Sequence, residues 1–133
     1  MKKANNPAME HLLRLAHEAS KKAHAPYSNF PVGAALADEK GEIFLGANVE
    51  NVSLGLTICA ERSAVACAIA GGASKLKAIA IYSPEANEPL HPCGACLQVL
   101  AEFAEDMDIY SGSADGKTLH TTLKELLPRA FRR

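Results

Sequence analysis

Two short segments constrain this chain more than anything else in it: T-I-C-A-E-R at 57–62 and P-C-G-A-C at 92–96. Between them they hold Cys59, Cys93 and Cys96, and Glu61 stands two residues after the first of these. Cys93 and Cys96 are three residues apart, which puts both sulfurs on one side of a helical first turn. Pro92 suits the start of such a helix, and Cys59 likewise opens a helical pattern. A fold that uses these residues together must aim two helix N-termini at one point, where the helix dipoles favour thiolates.

Three thiolates around Zn²⁺ leave one tetrahedral position free, the arrangement of a catalytic site rather than a closed structural one. Water in that position becomes acidic enough to supply hydroxide near neutral pH. Three thiolates also leave the site net negative, and Arg62, one turn into the first helix, is placed to hydrogen-bond a ligand sulfur. Glu61 reaches the same spot only because it sits at a helix end, where it is near the metal without ligating it, as a proton shuttle should be. A single C-x-x-C also fits a redox pair or half of a structural zinc site. The structural alternative needs a fourth ligand from Cys67, His91 or His120. Cys67 lies eight residues down an apolar helix and reads as core, and His91 reads as loop. His11, His17 and His24 read as the wet face of the first helix.

Composition narrows the function classes. The 133 residues carry a net charge of −1, which offers no broad footprint for a polyanion, and aromatics make up only 5%, with no Trp. Nucleic acid is therefore not expected as a partner. No apolar run approaches the roughly 20 residues needed to span a membrane. The N-terminus, M-K-K-A-N-N-P, begins like a signal peptide but lacks the apolar stretch that should follow. The chain reads as cytoplasmic, where thiols stay reduced and four cysteines point to metal or catalysis rather than disulfides. With few aromatics, elements must pack closely through small side chains.

Residues 1–133 read as one domain. An amphipathic helix is expected over 8–25, with Leu12, Leu15, Ala16, Ala19 and Ala23 on its buried stripe and Pro26 ending it. After the A-P-Y-S-N-F-P loop, 32–37 and 42–49 form a hairpin across D-E-K-G. A helix over 59–70, nearly apolar all round, ends at Gly71–Gly72 and must be covered on every side, by its own sheet and by another subunit. A strand follows at 77–82, then a helix over 93–105, strands at 107–111 and 117–121, and a short helix at 122–127 capped by Thr121 or Thr122. The order predicts an α/β fold, a three-layer α/β/α sandwich around a mixed five-stranded sheet.

C-A-E-R followed by P-C-G-A-C is the known signature of zinc nucleobase deaminases. The chain resembles the cytidine deaminase family in its short, three-cysteine form. The likeness runs from A-P-Y-S-N-F-P-V-G-A-A-L through N-V-E-N to P-C-G-A-C-L-Q-V-L and E-L-L-P-R-A-F. It implies one zinc per chain on Cys59, Cys93 and Cys96, with Glu61 as acid and base. Hydroxide supplied at the metal would attack C4 of cytidine or 2′-deoxycytidine, releasing ammonia. It further implies that the Ala60 N–H holds the base carbonyl, that Asn48 and Glu50 bind ribose hydroxyls, and that Phe30 packs on the pyrimidine. Family members are homotetramers, and Phe131 matches an aromatic that covers a neighbouring subunit's site.

Three positions depart from the family pattern. Leu54 stands where many relatives carry tyrosine, Leu97 where an arginine is common, and only Arg132 and Arg133 follow Phe131. The first two bear on substrate preference and metal tuning. Competing expectations are a blasticidin S-type aminonucleoside deaminase, which shares the zinc motifs, and a structural zinc module with no use for Glu61.

Overall fold

The computed structural model describes residues 6–133; the signal-like start at 1–5 lies outside the described residues. Five strands there form one sheet in the order β2-β1-β3-β4-β5. They are β1 (Gly33–Asp38), β2 (Ile43–Ala47), β3 (Leu76–Tyr82), β4 (Asp108–Gly112) and β5 (Thr118–Thr122). The sheet is mixed, as expected. β1 pairs antiparallel with β2 and β3, β3 runs parallel to β4, and β5 returns antiparallel on β4. The parallel step requires a crossover, supplied by α3 (Gly94–Phe103).

Alternation along the strands separates the two helical layers. Ala35, Ala78 and Ala80 face α1 (Pro7–Ser20), whose Met9, Leu12 and Ala16 complete that core. Ala34, Leu36, Ile79, Ile81 and Ile109 point the other way, onto α2 (Ala60–Ala70) and α3. Leu36, Ile79 and Ile81 have no exposed surface, and burying each contributes about 1.5–3 kcal/mol. α4 (Leu123–Leu126) closes the chain against α3 and β5, capped by the Thr122 hydroxyl, which accepts the Glu125 N–H.

The layers approach at backbone distance. A Cβ on Gly33 would stand 2.0 Å from the Ala16 carbonyl oxygen, and one on Gly46 would stand 2.4 Å from the Ala64 nitrogen. Those two glycines let α1 and α2 lie directly on the hairpin, the close packing that a chain poor in aromatics requires.

Three expectations need correction. The first helix ends at Ser20, not at residue 25. Its continuation is pulled into extended pairing, with the His24 N–H donating to the Asn48 carbonyl and the Glu50 N–H to the His24 carbonyl. His24 is thus outside the helix, and His17 stacks on Tyr82 at 4.4 Å between ring centroids rather than lying on a wet face. Cys67 is not core. It is exposed, as is Ile69, so in the single chain one side of α2 stands open.

Candidate metal centre

Two helix starts build the site. Cys59 is the N-cap of α2 and Cys93 the N-cap of α3, both in extended conformation (ψ 156° and 168°) and neither capping with its sulfur. Cys96 lies in the first turn of α3 and is 1% exposed. Their directions are fixed from behind. Gly46 seats α2 on the sheet, and a two-residue bridge, in which Val49 and Ile58 exchange N–H···O bonds of 2.9 Å, delivers the chain into Cys59. β3 and the proline-rich 83–92 loop lead into Cys93.

The three sulfurs lie within 4.8 Å of one another, with Cys93 and Cys96 Sγ at 3.5 Å. Zinc–sulfur bonds of about 2.3 Å in a tetrahedron set sulfurs about 3.8 Å apart, so the donor set fits zinc. It also fits by charge: Arg62 Nη2 stands 3.5 Å from Cys59 Sγ, and its Nε is buried with no hydrogen-bond partner. Among the described residues this is the one cluster of three metal-ligating side chains.

Electrostatics are divided across the centre. Burial opposes ionisation of Cys93, but the N–H groups of Cys96 and Ala95 at the start of α3 hold its thiol below the ordinary value. Burial, reinforced by the Glu61 charge, pushes the Cys96 thiol up. The sulfur of Cys59 in turn holds Arg62 more firmly protonated. Glu61, in the first turn of α2, is 6% exposed. Burial pushes its carboxyl above the usual range, against the pull of its own N–H and of Arg62.

Residues 7–112 match the family described as the cytidine and deoxycytidylate deaminase zinc-binding region. The chain belongs to that family. A cytidine deaminase of Halalkalibacterium halodurans is 45% identical over 121 residues, 90% of this chain and 91% of that one. One of Sporosarcina psychrophila is 43% identical over 124 residues, 92% and 90% of the two chains. The crystal structure of cytidine deaminase from Burkholderia pseudomallei superposes with a TM-score of 0.87 at 43% identity, covering 92% of this chain and 98% of that one. The zinc-deaminase family accounts for the mixed sheet and for a cysteine cluster able to hold the metal.

The structure therefore brings Cys59, Cys93, Cys96, Glu61 and Arg62 together. Ala60 opens α2, so its N–H is among those the helix leaves free. Asn48 and Glu50 form an adjoining cluster with the 25–32 loop. Asn48 Oδ1 accepts the Val32 N–H at 2.9 Å and its Nδ2 donates to the Phe30 carbonyl at 3.0 Å. Glu50 Oε1 accepts the Tyr27 and Ser28 N–H groups, and Oε2 accepts the Ser28 hydroxyl. That hydroxyl bond, with the two N–H groups and against burial, holds the Glu50 carboxyl low. The Phe30 side chain is half-buried. Phe131 stands elsewhere, 69% exposed on the C-terminal tail along α3. Leu97 is buried in the first turn of α3, and Leu54 is 69% exposed on the 54–56 turn. Sequence reasoning missed Ser28, whose signal was present as a hydroxyl between the two prolines of A-P-Y-S-N-F-P, and the tail contacts of Gln98 and Arg132, for which the sequence carries no local signal.

Proposed function

We propose that this chain hydrolyses the amino group from free cytidine and 2′-deoxycytidine, giving uridine or 2′-deoxyuridine and ammonia. The observation that carries the reading is a buried carboxyl group, Glu61, two residues after Cys59 in a cluster of three cysteine sulfurs that lie within 4.8 Å of one another. The relatives described above support the substrate class.

Cys59, Cys93 and Cys96 would hold the zinc, which would supply the Lewis acidity that makes water nucleophilic near neutral pH. Glu61 takes the proton from the attacking water and gives it to ring N3 as the C4–O bond forms. The same carboxylate then takes the remaining proton from the C4 hydroxyl and passes it to the amino nitrogen as the C4–N bond breaks and the C4 carbonyl forms, so ammonia leaves neutral and Glu61 ends as the carboxylate it began as. The Ala60 N–H holds the base carbonyl. Phe30 packs on the ring. Asn48 and Glu50 bind the sugar hydroxyls with capacity the loop does not use: Asn48 keeps a second N–H and a second lone pair, and Glu50 accepts three bonds of about four. Arg62 offsets the thiolate charge.

The same reading takes the 133 residues as one deaminase domain that works as a homotetramer in the cytoplasm, with Phe131 covering a neighbour's site. Exposed apolar residues in one stretch, Val52, Leu54 and Leu56 at 66–78% of their surface, support assembly, as does the open side of α2. Four free cysteines among the described residues suit a reducing compartment.

The test is ultraviolet-monitored turnover of cytidine, 2′-deoxycytidine, CMP and blasticidin S, with zinc measured on the same sample. Loss of the amino-base absorbance with both nucleosides, at about one zinc per chain, is expected. Turnover of blasticidin S alone would move the assignment to the aminonucleoside class, and bound zinc with no turnover would return it to a structural module.

A further inference from the structure

The last residues of the chain are fastened on both sides of an exposed ring. Ala130 packs onto the main core. The Phe131 carbonyl accepts the Gln98 Nε2–H at 2.9 Å. Arg132 lays its guanidinium on the end of α3, with Nη1 donating to the Ala101 carbonyl at 2.6 Å and Nη2 to those of Ala104 and Glu105 at 3.3 and 3.2 Å. α3 has no basic residue in its own last turn and leaves that turn in extended backbone at Ala104. A helix end of this kind has orphaned carbonyls and a negative dipole pole, and Arg132 answers both from 28 residues away. A planar guanidinium serves several carbonyls at once, as a lysine cannot. Between these anchors Phe131 is 69% exposed, with the Arg133 guanidinium over its ring at 5.8 Å. A tail that only needed anchoring would turn its largest apolar group inward.

We propose that Arg132 is a positioning residue: by capping α3 it fixes the tail so that the Phe131 ring is presented, already ordered, to the nucleoside site of a second copy. This rests on the reading that Phe131 covers a neighbour's site. The advantage is pre-organisation. A free tail would lose its conformational entropy each time substrate was covered, whereas a clamped one has lost it on folding. Gln98 is the second fastening, and it holds the backbone of the ring-bearing residue itself. Both anchors belong to the helix that carries Cys93 and Cys96, so the ring is held by the same rigid element that places two of the three sulfurs.

The chain has no tryptophan, so F131W introduces a single indole as a reporter of the tail. Its fluorescence anisotropy, without substrate, is expected to fall when R132A is added and to recover in part with R132K. In the native-aromatic background, R132A is expected to raise KM for cytidine about ten-fold with kcat within about two-fold. The double variant R132A/F131A is expected to match F131A alone, because residues acting through one group do not add. Unchanged anisotropy, or effects of R132A and F131A that multiply, would overturn the proposal. So would dissociation of R132A in sedimentation, since Arg132 would then act through assembly. If F131A raises KM and R132A does not, the clamp alone fails. If F131A keeps the wild-type KM, the neighbour-covering reading falls and the clamp's purpose with it. Q98A, which leaves the helix cap in place, gives the same anisotropy readout should R132A not fold.

Discussion

Arg62 Nη2 stands 3.5 Å from Cys59 Sγ on the same first turns of α2, and the Nε of the same guanidinium is buried without a partner. A buried cationic group left partly unpaired is costly unless something negative stands nearby. Three thiolates supply that charge. The arginine and the cysteines are therefore matched to one another in the zinc-loaded protein, and Leu97 at the head of α3 leaves Arg62 to carry the compensation.

Replacing Arg62 with glutamine keeps a donor but removes the charge. The expected result is zinc retention weakened about 10–100-fold, read by competition with a chromogenic chelator, while the circular dichroism of the apo chain stays as in wild type. Arg62→Lys should fall between the two, having the charge without the planar fork. Equal zinc affinity in all three proteins would show that the guanidinium serves packing only.

Glu61→Gln preserves shape and removes the carboxyl group that carries the proton. Acid–base catalysis at this step is worth about 10²–10⁴ in rate, so kcat should fall by that factor with zinc still at one per chain. A structural zinc site predicts no change in any measurement on this variant.

Much of the centre was legible in the sequence because it is local. Cys59 with Glu61 and Arg62, and Cys93 with Cys96, each fix their relation within a segment once that segment starts a helix, and both do. Strand parity was legible too, since alternating alanine and isoleucine in β3 assign its faces. What the sequence hid is non-local. Residues 21–25 continue a helical pattern, yet His24 is drawn into bridging with Val49 because that strand end needs partners. Cys67 lies in an apolar helix, yet the sheet covers only one side of it. Asn48 and Glu50 read as turn or surface residues until the loop that they brace is folded against them. Arg132 finds its carbonyl partners 27 to 31 residues away, beyond any periodic pattern.

Asn48 is 8% exposed and braces the loop by two bonds, to the Val32 N–H and the Phe30 carbonyl. Asn48→Ala orphans both partners, at about 1 kcal/mol or more each. A stability loss of about 2–3 kcal/mol in urea unfolding is expected, together with a raised KM. Asn48→Asp keeps the acceptor and loses the donor, so it should recover part of the stability but little of the substrate affinity.

Asp38 gives the clearest pH dependence outside the metal site. It lies at the end of β1, 2% exposed. Burial works to raise its pKa, yet the N–H groups of Ser74, Glu42 and Lys40 and the Ser74 hydroxyl together hold the carboxyl below its ordinary value. A carboxyl depressed on folding stabilises fully above its unfolded value and loses that contribution as pH falls through the folded one. The contribution should thus be intact at neutral pH and disappear below about pH 4. Asp38→Asn is expected to lower Tm at pH 7 and to flatten the acid limb of Tm against pH, narrowing the gap to wild type as the pH drops toward 3. Thermal scans of both proteins from pH 3 to 7 decide it: parallel curves would mean that the carboxylate's charge contributes nothing and that its oxygens act as neutral acceptors.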